Sequence, residues 1–136
     1  MERKRVLVAD DSDSYGALLS RYLSSQPDVD VVGLANDGSE AVRLASMLHP
    51  DLVVMDLCMP GMDGFEATRA LREAEPAVKV IALTAYGAGD SERRSIEAGA
   101  AAFLPKAEVD RKLIELIRRL GARSGESDLT EQSTDC

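Results

Sequence analysis

The stretch "DLVVMDLCMPGMDG" (51–64) joins four consecutive apolar residues to a carboxylate, Asp56, and then to a loop with two glycines and a proline. Unbroken apolar runs of this kind are typical of a strand that is covered on both faces, as in a parallel sheet. Strand interiors avoid aspartate, and a carboxylate at the end of a strand more often serves a turn or a chemical function. The stretch therefore predicts a buried strand that delivers Asp56 to its carboxyl end.

Four similar runs and five segments with helical spacing alternate along the rest of the chain. The predicted strands, including the central one, are "RVLVA" (5–9), "DVVGLA" (30–35), "LVVMD" (52–56), "KVIALT" (79–84) and "AAFLP" (101–105). Helices are predicted between and after them at 13–25, 38–48, 63–74, 89–98 and 109–120. Parallel neighbours need crossover connections, so five such repeats predict an α/β fold with a five-stranded parallel sheet and helices on both faces.

The ends of two helices carry particular signals. The fourth helix has Asp90 as a candidate N-cap and Gly99 as a left-handed C-cap. The fifth helix shows one apolar stripe at helical spacing, which ends before Gly121 and consists of Val109, Leu113, Leu116, Ile117 and Leu120.

Composition limits the class of protein. The 136 residues suit one domain, with 45% hydrophobic and 29% charged residues. A net charge of −8 argues against a surface that binds nucleic acid or anionic lipid, because both need clustered lysine and arginine. No apolar stretch is long enough for a signal-peptide core or a membrane span, so we expect a cytoplasmic protein with no membrane partner and with both cysteines reduced.

Residues 1–121 form the predicted domain, and the acidic segment 122–136 is predicted to be a disordered tail.

Polar residues follow four of the predicted strands. Asp10 and Asp11 follow the first strand, Asp56 ends the third, Thr84 ends the fourth and Lys106 follows the fifth. Each has an ordinary explanation when taken alone, such as an exposed turn or, for the first pair, a helix start capped by Ser12. In open parallel sheets, however, ligands bind outside the carboxyl ends of the strands. The coincidence of these groups at one edge predicts a functional site.

The chain resembles the receiver domain of two-component response regulators. The resemblance runs from about Arg5 to Leu120 and rests on "VADDS", "MDLCMPGMDGFE", "ALTA", "AGAAAFLPK" and the spacing between them. It implies the flavodoxin-like fold with strand order 2-1-3-4-5, which is known for this family.

The resemblance also implies roles for the site residues. Asp56 would be the phosphoacceptor, whose carboxylate attacks phosphorus to give an acyl phosphate. Mg²⁺ or Mn²⁺ would be bound by Asp10, Asp11, Asp56 and the backbone carbonyl of Cys58.

Two further groups would contact the phosphoryl group, Lys106 through its charge and Thr84 through its hydroxyl. Thr84 and Phe103 would act as the switch that reshapes the face formed by helix 4, strand 5 and helix 5. The sequence departs from many receivers in one respect, since Pro105 precedes Lys106 and Ala107 follows it, so no cis peptide bond is expected there.

Three interpretations compete. The first is a stand-alone receiver, not an enzyme beyond its own phosphorylation and dephosphorylation. It would be phosphorylated by a histidine kinase or histidine phosphotransfer protein and would act through a protein partner on the helix 4, strand 5, helix 5 face or through onward relay. "VVGLANDGSEAV" resembles receivers that precede a DNA-binding domain, but only sixteen residues follow Leu120, so no nucleic-acid partner is expected.

The second interpretation is a haloacid dehalogenase-type phosphohydrolase, which needs an aspartate where Cys58 stands. The third is a phosphorylation-independent adaptor.

Overall fold

Five parallel strands form one sheet in the order β2-β1-β3-β4-β5 in the computed structural model, which describes residues 3–85 and 89–121. The strands are β1 (Lys4–Ala9), β2 (Val29–Ala35), β3 (Leu52–Asp56), β4 (Lys79–Thr84) and β5 (Ala102–Pro105). The helices are α1 (Asp13–Ser24), α2 (Gly38–Leu48), α3 (Gly64–Ala74), α4 (Gly89–Ala98) and α5 (Val109–Leu120). The flavodoxin-like fold class and the strand order are confirmed. The predicted tail, 122–136, lies outside the described residues, so its boundary stays a prediction.

Local signals account for most helix ends. The third helix begins one residue later than predicted because Asp63 is its N-cap, and Asp63 and Glu66 exchange hydrogen bonds in a capping box. Gly99 has a positive φ of 113°, and the Gly99 and Ala100 amides donate to the carbonyls of Ile96 and Ser95. This pattern is a Schellman motif, which confirms the predicted C-cap.

The prediction that Asp90 caps α4 is wrong. The helix begins at Gly89, so Asp90 lies inside the first turn and its carboxylate pairs with Arg93 one turn later. An acidic residue in the first turn is favourable for the helix dipole, which gives the same sequence preference as a cap.

The core lies on both faces of the sheet. Alternate residues of the central strand β3 enter different layers, with Val53 and Met55 on the side of α2 and α3 and with Leu52 and Val54 on the side of α1 and α5. All five residues of β3 are buried. This two-sided cover explains why the strand reads as an unbroken apolar run.

Two glycines fix the loop that follows β3. A Cβ on Gly64 would overlap the Asp56 carbonyl oxygen and lie 2.7 Å from the Leu57 Cα. A Cβ on Gly38, the first residue of α2, would overlap the Met62 carbonyl oxygen. Because both obstacles are backbone atoms, the starts of α2 and α3 hold the segment between Asp56 and Gly64 in place.

Within residues 3–85 and 89–121, none of the helices combines the length and the apolar character needed to cross a bilayer.

Candidate functional site

Three carboxylates meet at the carboxyl edge of the sheet. Asp10 follows β1 and Asp56 ends β3, and these strands are hydrogen-bonded neighbours. One side-chain oxygen from each of Asp10, Asp11 and Asp56 lies within 4.8 Å of the others. Asp10 and Asp56 are only 2% and 4% exposed, whereas Asp11 is exposed. Like charges this close and this poorly hydrated repel strongly, so the cluster calls for a compensating cation.

Lys106 supplies one positive charge to this cluster. It follows the edge strand β5, and its Nζ lies 2.9 Å from Asp10 Oδ2 and 3.6 Å from Asp56 Oδ1. Burial disfavours its charge, but the hydrogen bond to Asp10 and the attraction of Asp56 outweigh burial and raise the pKa of Lys106 above its ordinary value. The ammonium is therefore held charged between the two buried carboxylates.

Asp56 has a raised pKa despite the nearby Lys106 ammonium. Burial, followed by the charge of Asp10, raises the pKa of Asp56 from 3.8 to about 6, although Lys106 and the Cys58 amide oppose the rise. Near neutral pH the carboxylate is ionised but poorly solvated, which is the state of an available nucleophile.

The loop after β1 orients Asp10. The Ser12 amide donates to Asp10 Oδ1 at 2.8 Å, while the Ser12 hydroxyl accepts from the Tyr15 amide at 3.2 Å. Ser12 is thus the N-cap of α1, as considered from the sequence, and it also fixes the rotamer of Asp10.

The remaining predicted residues lie in the loop after β3 and on the strands β4 and β5. Cys58 is exposed with a free thiol, and its amide lies 3.4 Å from Asp56 Oδ1. Thr84 ends β4, the strand beside β3, and is 4% exposed. Phe103 lies on β5, where it is half-buried against the α2 and α3 side of the core.

One residue beside the site, Tyr15, is not part of any recognisable sequence motif. The Lys106 Nζ lies 4.2 Å from the centroid of the Tyr15 ring. Tyr15 and Lys106 are far apart in the sequence, so no local spacing pairs them. The only signal is that Tyr15 lies in the first turn of the helix that follows the aspartate pair.

The donor set fits a hard divalent cation. Three carboxylate groups at short mutual distances offer the oxygen ligands that such ions prefer, and Lys106 supplies a single positive charge against them. The Asp10, Asp11 and Asp56 cluster could therefore hold a metal ion.

Comparison with known proteins agrees with the geometry. Transcriptional regulatory protein LiaR of Bacillus subtilis is 42% identical over 125 residues, covering 92% of this chain and 58% of LiaR. The solved response regulator domain of Thermotoga maritima CheB is 34% identical with a TM-score of 0.81, covering 88% of this chain and 97% of that one. A chain of the CheX-CheY-BeF3-Mg+2 complex from Borrelia burgdorferi is 26% identical with a TM-score of 0.76, covering 85% of this chain and 90% of that one.

The chain spans little more than half the length of LiaR. The sequence family described as "Response regulator receiver domain" matches residues 6–118. With the fold, the acidic cluster and this match in agreement, the chain belongs to the response regulator receiver domain family.

Proposed function

We propose that this chain accepts a phosphoryl group on Asp56 from a histidine kinase or histidine phosphotransfer protein. The observation that carries the proposal is the pocket in which Asp56 is 4% exposed, lies beside Asp10 and faces the Lys106 ammonium at 3.6 Å. A buried carboxylate with this neighbourhood is costly for the fold, which is expected of a group kept for chemistry.

The reaction forms a bond between a carboxylate oxygen of Asp56 and phosphorus, and breaks the bond between phosphorus and the donor. Lys106 is placed to move its ammonium onto an oxygen of the incoming group, because it already lies 3.6 Å from the nucleophile. The Thr84 hydroxyl, at the end of the adjacent strand, is proposed to donate to another oxygen of that group.

Asp10, Asp11, Asp56 and the backbone carbonyl of Cys58 would hold the metal ion, Mg²⁺ or Mn²⁺. When bound, such an ion supplies positive charge that offsets both the crowded carboxylates and the phosphoryl oxygens. The Borrelia burgdorferi relative was crystallised in a complex that contains BeF3 and Mg²⁺, which supports this choice.

A first prediction concerns metal-dependent uptake. Incubated with a small acyl phosphate and Mg²⁺, the protein should gain the mass of one phosphoryl group, and peptide mapping should place it on Asp56. With the metal chelated, uptake should fall at least about tenfold, because the carboxylate cluster then repels the donor. Uptake that is equal with and without metal, or that maps to another residue, would contradict the proposal.

The same experiment separates the alternatives. A phosphorylation-independent adaptor would take up no phosphoryl group. A phosphohydrolase would release phosphate from added monoesters with multiple turnovers, and the exposed Cys58 stands where that chemistry needs an aspartate. We therefore favour a signalling module that catalyses only its own phosphorylation and dephosphorylation.

The output is proposed to run through the face formed by α4, β5 and α5. A groove of about 380 Å³ lies on this face, and its lining includes Phe103, Leu104, Pro105, Leu116, Glu92 and Lys112. Movement of Thr84 toward phosphate would alter the packing of Phe103, which lines the groove, so the groove would change shape with phosphorylation. Signalling would follow by protein binding to this face or by onward relay.

A second prediction tests this face. Phosphorylation should produce its largest amide chemical-shift changes, outside the pocket itself, in β5 and the adjoining parts of α4 and α5. Changes concentrated instead on α2, which lies away from the groove, would show that another surface carries the output.

The absence of a nucleic-acid partner and the cytoplasmic location stay predictions for the whole protein. LiaR is named as a transcriptional regulatory protein, and this chain covers 58% of it. Duplex binding that weakens with added salt would contradict the first of these expectations.

A further inference from the structure

A closed set of contacts connects four residues, which are Asp10, Ser12, Tyr15 and Lys106. The Ser12 amide donates to Asp10 Oδ1, and the Tyr15 amide donates to the Ser12 hydroxyl. The Tyr15 ring lies 4.2 Å from the Lys106 Nζ, which donates to the other oxygen, Asp10 Oδ2, at 2.9 Å. The backbone of Tyr15 is therefore linked, through Ser12, to the same aspartate that holds the lysine.

We propose that Tyr15 is a positioning residue for phosphoryl transfer, whose ring holds the Lys106 ammonium beside Asp56 while the ammonium leaves Asp10 for the phosphoryl group. This inference rests on the proposed function and adds a residue to it. The ring itself touches neither Asp56 nor the transferred group in the proposed reaction.

The range of the two interactions explains the role. A hydrogen bond from Lys106 to Asp10 is lost once the atoms separate much beyond 3 Å, whereas an ammonium remains attracted to an aromatic face out to about 6 Å. At 4.2 Å from the ring, Nζ can move toward Asp56 and stay attracted to Tyr15. The ring thus offsets part of the cost of breaking the Asp10 contact.

The Tyr15 ring lies in a groove that also contains a competing carboxylate. Tyr15 and Lys106 line a groove of about 380 Å³ between α1 and the start of α5, together with Leu18, Tyr22, Ala107 and Asp110. Asp110 carries an exposed carboxylate, which could attract the Lys106 ammonium away from Asp10 because the lysine side chain is flexible. Burial, the largest influence, raises the pKa of Tyr15, so the ring meets the ammonium as a neutral phenol.

Three variants test the proposal. Tyr15→Phe keeps the ring, and Tyr15→Leu replaces it with an aliphatic side chain. Tyr22→Leu is the matched control, since Tyr22 lines the same groove but directs its hydroxyl to the Asp110 carbonyl. The initial rate of phosphoryl uptake from a small acyl phosphate with Mg²⁺ is measured by intact mass across donor concentrations. Tyr15→Leu should lower the maximal rate about fivefold and leave half-saturation by the donor unchanged, while the other two variants stay within about twofold.

A second readout does not depend on phosphorylation. The Lys106 side-chain protons should show upfield ring-current shifts in the unphosphorylated wild type and in Tyr15→Phe, and should lose them in Tyr15→Leu. Tyr15→Met replaces the leucine variant if that variant does not fold. Equal rates in the wild type and Tyr15→Leu, equal losses in Tyr15→Phe and Tyr15→Leu, or no upfield shift in the wild type would overturn this inference alone. No uptake by the wild type would overturn the proposed function as well.

Discussion

The Asp56→Asn variant is expected to accept no phosphoryl group and to be more stable than the wild type near neutral pH when divalent metal is absent. Loss of uptake follows because an amide cannot serve as the nucleophile. The gain in stability follows from the position of Asp56, which is 4% exposed and lies beside Asp10. Both changes arise from the Asp56 carboxylate, which is the nucleophile and which lowers the stability of the fold because it is buried.

The sign of the stability change follows from the raised pKa of Asp56. The unfolded chain loses the proton near the ordinary value of 3.8, whereas the folded chain keeps it until about pH 6. Between these values a rise in pH favours unfolding, and above about 6 the penalty is complete. This difference in pKa corresponds to about 3 kcal/mol, with the opposing attraction of Lys106 already included, so we expect Asp56→Asn to gain about 2 to 3 kcal/mol.

The measurement is urea unfolding followed by circular dichroism, with and without Mg²⁺, since the chain has no tryptophan to report by fluorescence. Asp11→Asn is the matched control, because it removes the same charge from an exposed position in the same cluster. Its free energy of unfolding without metal should change by less than about 0.5 kcal/mol. Added Mg²⁺ should stabilise the wild type more than Asp56→Asn. An Asp56→Asn protein less stable than the wild type without metal would refute the stability argument.

The Gly64→Ala variant is expected to lose about 3 kcal/mol of stability and most of its phosphoryl uptake. The added Cβ would overlap the Asp56 carbonyl oxygen and meet the Leu57 Cα at 2.7 Å. Backbone atoms of a central strand cannot move aside without disturbing the ladder between β3 and β4. The variant therefore tests whether the start of α3 fixes the position of the nucleophile.

Gly16→Ala is the matched control for this variant. Gly16 is also a buried helical glycine, but its added Cβ would meet only the end of the Leu34 side chain, at 3.0 Å. The flexible side chain can turn away, and alanine gains about 1 kcal/mol in helix propensity over glycine. Gly16→Ala should thus be near neutral by urea unfolding. Similar losses in both variants would show that any side chain, and not contact with the Asp56 backbone, causes the damage.

Much of the fold follows from local patterns. The apolar runs predict all five strands to within one residue at each end, because two-sided burial leaves an unbroken apolar signature. The alternation of strands and helices predicts a parallel sheet. The strand order came from the family resemblance, since nothing in the runs themselves says which strand lies beside which. The exception at Asp90 arose because a first-turn acid and an N-cap satisfy the same helix terminus.

The meeting of charged groups at one edge of the sheet could also be predicted. Parallel topology brings strand ends to one edge, so residues after β1, β3, β4 and β5 were expected to converge without knowledge of any distance. The structure brings Asp10, Asp11 and Asp56 together and places the Lys106 ammonium beside Asp10 and Asp56. It places Phe103 on β5, half-buried against the core.

Sequence patterns alone predict the strands, the helices and the residue types that end each strand, because these depend on neighbours along the chain. The electrostatic balance among the charged groups of the site, by contrast, depends on the folded arrangement of the chain. The raised pKa of Asp56 requires both its burial and its distance from Asp10, and the contact between Tyr15 and Lys106 requires α1 and β5 to be placed by the whole sheet. Electrostatic and packing energies depend on separations of a few ångströms between residues remote in sequence, and local patterns carry no information about those separations.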